Sequence, residues 1–279
     1  MIIIPIDLDP AHPTLDDHRP GGLPLFGTAM GLGAMVSALR SQHPSITRIC
    51  IEDVRIAEPC ILSTDAAHRL ETVLGDIQHN EGGSFRDALV RTPQRADEAE
   101  VAHFRARLRG DMQPSDSTRS LDPPSPIGLT VTGDEIYQVF FHGPSFQVVG
   151  AVQRNGDTLT AHLSDLPASR ALMPEVRLIE FAMQAAGLLE LSLSGEMRVP
   201  LRIGRITLSI DEQVLTGATA TVAQHGKSSL SGRSSDIHIS AKSGTEILAI
   251  AAYETVELPF PIDQSSLKAL GHRIGCLPQ

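Results

Sequence analysis

The chain has no run of about 18 apolar residues, and so offers no candidate for a membrane-crossing helix. Its first residues, Met1-Ile2-Ile3-Ile4-Pro5, show neither the basic region nor the long apolar segment of a secretory signal. Cysteine is scarce: Cys50, Cys60 and Cys276 are odd in number and lack metal-ligand spacing. A reduced, cytoplasmic setting fits that usage. Positive charge is also in deficit. With 23 Lys+Arg against 33 Asp+Glu the formal net charge is -10, which disfavours nucleic acid and anionic membrane as partners. An acidic partner would need a local basic patch.

The 279 residues, 41% apolar and 20% charged, describe a soluble globular protein, either one large domain or two packed subdomains. One stretch stands apart. From Arg177 to Leu191 almost every residue is apolar or small, as in a helix buried on all sides. It carries Glu180 and Gln184, four residues apart and so on one face. A carboxylate there costs several kcal/mol unless it is paired or neutral. Glu180 either lies at the helix edge, reaching water or an arginine, or is a buried acid whose pKa rises towards the range of a proton donor.

Around this helix the chain reads as alternating strands and turns. Residues 2–6 are a strand, 10–22 a loop, and 28–39 a helix of small and apolar residues. The glycines of that helix make sense if something approaches its backbone closely. Strand-like runs follow at 46–57, 67–78, 84–91 and 100–108, the last compatible with a helix by composition. Residues 111–128 are a proline-rich linker. After it the plan repeats: a short helix at 133–140, strands at 147–154 and 158–163, the apolar helix, then strands at 202–210, 218–225, 235–240 and 245–254. Turns are expected at Gly226-Lys227 and Ser243-Gly244. A sheet that wraps one buried helix is a hotdog, and two in one chain make a pseudo-dimer. The expected class is therefore α+β, a double hotdog with two antiparallel sheets: 1–110 the first subdomain, 111–128 the linker, 129–258 the second, and 259–279 a C-terminal tail. The halves share no obvious identity, so the repeat is architectural.

Three motifs carry a resemblance. His18-Arg19-Pro20-Gly21-Gly22-Leu23-Pro24-Leu25-Phe26-Gly27 resembles the His-x-x-x-Gly-x-x-x-x-Pro motif of dehydratase domains from polyketide and fatty acid synthases, the polyunsaturated-type iterative ones included. His142-Gly143-Pro144-Ser145-Phe146 resembles their Tyr-Gly-Pro-x-Phe, and Glu180-Phe181-Ala182-Met183-Gln184 their Asp-x-x-x-Gln. The order and spacing match. The resemblance implies the double-hotdog fold and a hydro-lyase that removes water from a 3-hydroxyacyl thioester. That substrate would ride on the phosphopantetheine of an acyl carrier protein. It implies His18 as base and Glu180 as acid, with Gln184, Gly22, Gly27, His142, Gly143 and Pro144 binding or orienting the substrate. No metal and no organic cofactor is expected, because acid and base supply the whole elimination. Other synthase modules and a second copy of the chain are further partners it allows. Three positions depart from the pattern: Gly27 for proline, His142 for tyrosine, and Glu180 for the shorter aspartate.

The chemistry asks for the same groups independently. Elimination needs a base at the α-carbon and an acid at the β-hydroxyl. Imidazole, with a pKa of about 6.5, is largely neutral base at neutral pH. A buried carboxylic acid that stays protonated can donate to the departing hydroxyl. The thioester oxygen needs N–H donors, which the helix start at Gly27–Thr28 can supply. His18 and Glu180 lie in different halves, so one site should form across the pseudo-dimer interface. Plainer readings stay open. Most of the 11 histidines must be structural, and His142, after two phenylalanines, reads as a turn residue in preference to a catalytic one. Gln184 reads as an orienter of Glu180 or a water ligand. Asp16-Asp17 reads as solvated loop ahead of a metal pair. Arg105, Arg107 and Arg109 share one strand face, either a plain solvent face or a seat for an acidic carrier protein. For the whole chain the alternatives are a non-catalytic double hotdog that binds acyl chains or carrier protein, and a cyclase resembling product-template domains. The initiating Met and compact ends point to a free-standing protein.

Overall fold

The structure, a computed structural model, describes residues 1–9, 12–62, 68–93, 100–110, 129–209, 215–225, 234–258 and 263–275. The first half holds β1 (Ile2–Leu8), α1 (Pro13–Asp16), α2 (Thr28–Gln42), β2 (Arg48–Ile56), β3 (His68–Leu74), β4 (Gln78–Asn80), β5 (Gly83–Thr92) and β6 (Val101–Gly110). The second holds β7 (Thr130–Thr132), α3 (Gly133–Tyr137), β8 (Val149–Asn155), β9 (Thr158–Leu163), α4 (Pro174–Ser194), β10 (Arg198–Ser209), β11 (Thr219–His225), β12 (Ser234–Ser240), β13 (Glu246–Glu257) and α5 (Gln264–Gly275). The run at 100–108 is thus a strand. The linker at 111–128 and the turn at Gly226-Lys227 lie outside the described residues.

All strand pairings are antiparallel. The order is β1-β3-β5-β6-β2-β10-β13-β12-β11-β9-β8-β7, with β4 beside β5. The sheets of the two halves meet edge to edge at β2 and β10, where Ile51 faces Ile206. They form one continuous sheet that curls around two helices, the double hotdog read from the sequence. Pro5 is tolerated in β1 because among the described residues that strand has one neighbour, β3.

α4 is buried along nearly its whole length, from Glu175 to Leu191 except at Gly187. Pro174 opens it, where the missing N–H costs nothing, and Gly195 closes it in the left-handed conformation, φ 73°. α2 packs against it so closely that a Cβ on Gly33 would lie 2.3 Å from Val176 Cγ2. Gly33 serves that contact, and Gly31 admits the Phe104 ring of β6, 2.4 Å from where its Cβ would lie. No helix among the described residues is long and apolar enough to cross a membrane.

Two segments differ from expectation. Residues 10–22 are not simply loop: Pro13 and Pro20 each sit at the start of a short helical turn, Pro13–Asp16 and Pro20–Gly22, where their fixed φ suits helix initiation. The tail at 259–279 contains α5, which docks on α4. Its Leu267, Leu270 and Ile274 form one apolar stripe and are buried.

Candidate active site

His18 reaches the centre of the molecule on a backbone bridge to His142. The neighbouring residue secures that bridge. The Asp17 carbonyl accepts from the Gly143 N–H at 2.7 Å, and its carboxylate accepts from the Ser145 N–H at 2.8 Å. A Cβ on Gly143 would fall 2.2 Å from Asp17 Oδ1, so only glycine fits. Pro144 then opens the turn Pro144–Phe146. The Asp16-Asp17 pair is therefore not plain solvated loop. Asp16 is exposed and pairs with Arg19 at 2.6 Å, but Asp17 latches the first motif onto the second. Gly22 is exposed at the end of its turn, φ 84°, away from this latch.

The imidazole of His18 is 6% exposed. Its Nδ1–H donates to the Leu25 carbonyl at 2.9 Å, which leaves the Nε2 lone pair as the basic atom. The ring lies against the start of α2: a Cβ at Gly27 would come within 2.8 Å of His18 Cε1. In this packing the ring occupies the space that a Cβ at position 27 would take. The ring also sits 5.0 Å from that of Phe146 and 5.4 Å from that of Phe141, centroid to centroid.

α4 supplies the carboxyl group. Glu180, Met183, Gln184 and Gly187 fall at helical spacing and line one cavity face, as the four-residue interval between Glu180 and Gln184 predicts. Gln184 donates to Glu180 Oε1 at 2.8 Å and to the Phe146 carbonyl at 2.9 Å. Its own oxygen accepts from Tyr137 O–H at 2.7 Å, and that hydroxyl accepts from the Val149 N–H at 2.7 Å. Gln184 is thus an orienter with every polar contact assigned. Tyr137 was not legible in the sequence. It lies outside all three motifs, at the end of α3, which a Thr132–Glu135 capping box begins.

His142 comes to the same point. Its ring stacks on Phe141 at 4.1 Å, and its Nε2 lies 3.3 Å from Glu180 Oε1. One donor atom from each of His18, His142 and Glu180 lies within 4.8 Å of the other two. His142 is therefore more than a turn residue. Its Nδ1 is buried with no hydrogen-bond partner.

The electrostatics differ from the sequence reading at one place. Burial pushes the Glu180 carboxyl up, as expected, but it does not win. The hydrogen bond from His142, the positive potential of both histidines and the Gln184 amide together hold it below the ordinary carboxylate value. Glu180 is a carboxylate in the free protein, not a buried neutral acid. His18 is pushed down to about 4, chiefly by burial, against a smaller upward pull from Glu180. It is a neutral base at neutral pH.

The cavity in which these groups meet has a volume of about 160 Å³ and a mainly apolar lining. Thr28 and Gly27 contribute the N-terminus of α2, whose first N–H groups no side chain caps. Arg198 is the cationic exception in the lining. It is satisfied by Thr255 at 3.1 Å and by the buried Glu190 carboxylate at 3.6 Å.

The arginine stripe of β6 is not one uniform face. Arg109 is buried and bonded to Glu52 at 2.9 Å, and Arg107 lies over the Phe85 ring at 4.5 Å, with Asp53 and Asp87 nearby. Arg105 alone is exposed. Across the strands it stands opposite Arg55, which stands opposite Arg202 of β10.

No protein-family model matches the chain, and no curated protein matches its sequence. Solved structures do match. The dehydratase domain from the CurF module of curacin polyketide synthase superposes with a TM-score of 0.74 at 15% identity, over 92% of this chain and 93% of that one. The dehydratase domain of RzxB from Pseudomonas fluorescens gives 0.73 at 19% identity, over 91% and 93%. A pyran synthase domain from module nine of the sorangicin pathway gives 0.68 at 18% identity, over 92% and 93%. The chain has the fold of polyketide synthase dehydratase domains over nearly its full length.

Proposed function

We propose that the chain is a dehydratase that removes water from a 3-hydroxyacyl thioester held on an acyl carrier protein, in polyketide or fatty acid biosynthesis. The observation that carries this reading is the meeting of His18 and Glu180, from opposite halves, in an apolar cavity that also receives the N-terminus of α2. His18 Nε2 takes the α-proton. The thioester oxygen, as negative charge builds on it, faces the uncapped N–H groups after Gly27. The β-hydroxyl leaves as water with a proton from the Glu180–His142 pair, and the double bond forms between the α- and β-carbons. His18 then returns its proton to that pair. An acyl chain entering the cavity strips the remaining water and drives the Glu180 carboxyl back up towards protonation, which suits it to donate. Gln184, fixed by Tyr137 and Phe146, holds the carboxyl in place. Gly22, Gly143 and Pro144 shape the loops that carry the two histidines. No metal or organic cofactor has a part in these steps.

The division into 1–110 and 129–258, joined by 111–128, follows from the same reading, with the site at the junction. The carrier protein would meet the row Arg105–Arg55–Arg202. Like charges directly opposite on neighbouring strands are destabilising; Arg202 is offset by Asp53 at 3.9 Å, which leaves Arg55 and Arg105 for an acidic partner to offset. Ile56 and Phe104, next in register to Arg55 and Arg105, line the cavity, so the row borders the way in.

The test is dehydration of a 3-hydroxyacyl carrier protein, read as mass loss of water. Glu180→Gln keeps the hydrogen-bonding shape and removes the acid, and its rate should fall about a hundred to ten thousandfold with stability changed by no more than about 1 kcal/mol. His18→Ala should fall as far, and the double variant no further, because the two act as a unit. Dehydration by Glu180→Gln at the wild-type rate would show Glu180 to be structural. A wild-type protein that binds carrier protein and dehydrates nothing would be a scaffold.

A further inference from the structure

We propose that His18, His142 and Glu180 form a binding site for one zinc-class divalent cation, and that the bound ion excludes the acyl thioester. The inference goes beyond the dehydratase reading, because the ion is an inhibitor there and not a participant. Two imidazoles and a carboxylate with an open fourth position are the ligand set of a catalytic zinc site. All three side chains are more than nine-tenths buried, and their donor atoms converge within 4.8 Å. Ligands about 2.1 Å from a tetrahedral ion lie about 3.4 Å apart. His142 Nε2 and Glu180 Oε1 already stand at 3.3 Å, so the remaining closure is a side-chain swing by His18 of about an ångström.

Two of the three ligands, His18 and Glu180, are also held from outside as in a metal site. Metal-binding histidines present one nitrogen to the ion and anchor the other N–H on a carbonyl or carboxylate. His18 does this through Leu25, leaving Nε2 with its lone pair. Glu180 is held by Gln184, itself held by Tyr137 and Phe146. His142 departs from that pattern: its Nδ1 is buried without a partner, and the convergence of its Nε2 with Glu180 and His18 is what places it among the ligands. A tyrosine at this position, as in the resembling motif, would offer no such donor. The cavity leaves room for a water or hydroxide on the ion. Nitrogen with one carboxylate favours zinc, cobalt and nickel over magnesium and calcium. An ion seated here occupies the lone pair of the base and the oxygen of the acid together.

The experiment titrates chelator-treated full-length protein with Co²⁺, following the visible absorption of tetrahedral cobalt, with Zn²⁺ as competitor. Wild-type protein is expected to bind one equivalent, and a 3-hydroxyacyl pantetheine thioester to displace it. Losing a ligand costs at least what losing an outer-shell partner does, so His142→Tyr and His18→Gln should each weaken binding about a hundredfold or more. His43→Gln, on the exposed surface, should leave binding unchanged. Far-ultraviolet ellipticity reports whether either ligand variant has failed to fold, and the other then decides. Absence of a one-to-one tetrahedral spectrum, or equal affinity in both folded ligand variants, overturns the proposal. The titration involves no turnover. A chain that binds cobalt as described yet dehydrates nothing refutes the dehydratase reading alone, and one that dehydrates but ignores cobalt and zinc refutes this inference alone.

Discussion

Acidification should destabilise this protein through His18, by an amount that follows from its burial. In the unfolded chain the imidazole titrates at its ordinary 6.5, and in the folded protein at about 4. Between those values the unfolded state binds a proton that the folded state refuses. Stability is therefore fully present above pH 6.5 and is lost as the pH falls towards 4. A shift of about 2.5 units corresponds to about 3 kcal/mol, or about 1.4 kcal/mol for each pH unit inside the window. Against a typical total of about 5–15 kcal/mol that loss is easily measured. The assay is urea unfolding followed by far-ultraviolet ellipticity at pH 7.5, 5.5 and 4.5, for wild type and His18→Gln. Glutamine can still donate to the Leu25 carbonyl and does not titrate. The buried His103, also held below its ordinary value, and the network around Glu180 contribute acid sensitivity to both proteins. The excess loss in the wild type isolates His18. Parallel pH dependences, with no excess, would show that His18 is not held neutral by burial and would remove the argument for it as the base.

Gly187 lies on the cavity face of α4, and a Cβ there would meet no atom within 4 Å. Gly187→Ala should stabilise the helix by about 0.5–1 kcal/mol in thermal unfolding, and Gly187→Leu should slow dehydration of long acyl chains more than short ones in a chain-length series. For the arginine row, Arg55→Glu with Arg105→Glu should raise KM for carrier-bound substrate and flatten its salt dependence, while activity on a soluble pantetheine thioester stays unchanged. Equal loss on both substrates would place those arginines outside carrier recognition.

Much of this architecture was legible because local physics dominates it. The apolar run around Glu180 could only be a buried helix, and 3.6 residues per turn put Glu180 and Gln184 on one face before any fold was known. Strands with turns between them fell close to their observed positions for the same reason. The C-terminal α5 carries an equally plain stripe, Leu267, Leu270 and Ile274, which the reading of 259–279 as a tail passed over.

What the chain alone could not decide are the properties that depend on distance through space. Whether two half-sheets stay apart or fuse depends on β2 and β10 presenting free edges to each other, and those edges are 142 residues apart in the chain, from Ile56 to Arg198. Burial by itself would have raised the carboxyl of Glu180. Its lowered value comes from His142, 38 positions earlier, which only the fold brings within 3.3 Å. Tyr137 and Asp17 matter through a pair of hydrogen bonds each, which leave no periodicity to read. The alternation of Arg105, Arg107 and Arg109 predicted a common face, but their cross-strand neighbours bury one, tether another and leave the third exposed. Sequence spacing sets which way a side chain points, while the charges and donors that it meets there, and so its protonation state, are set by the tertiary structure.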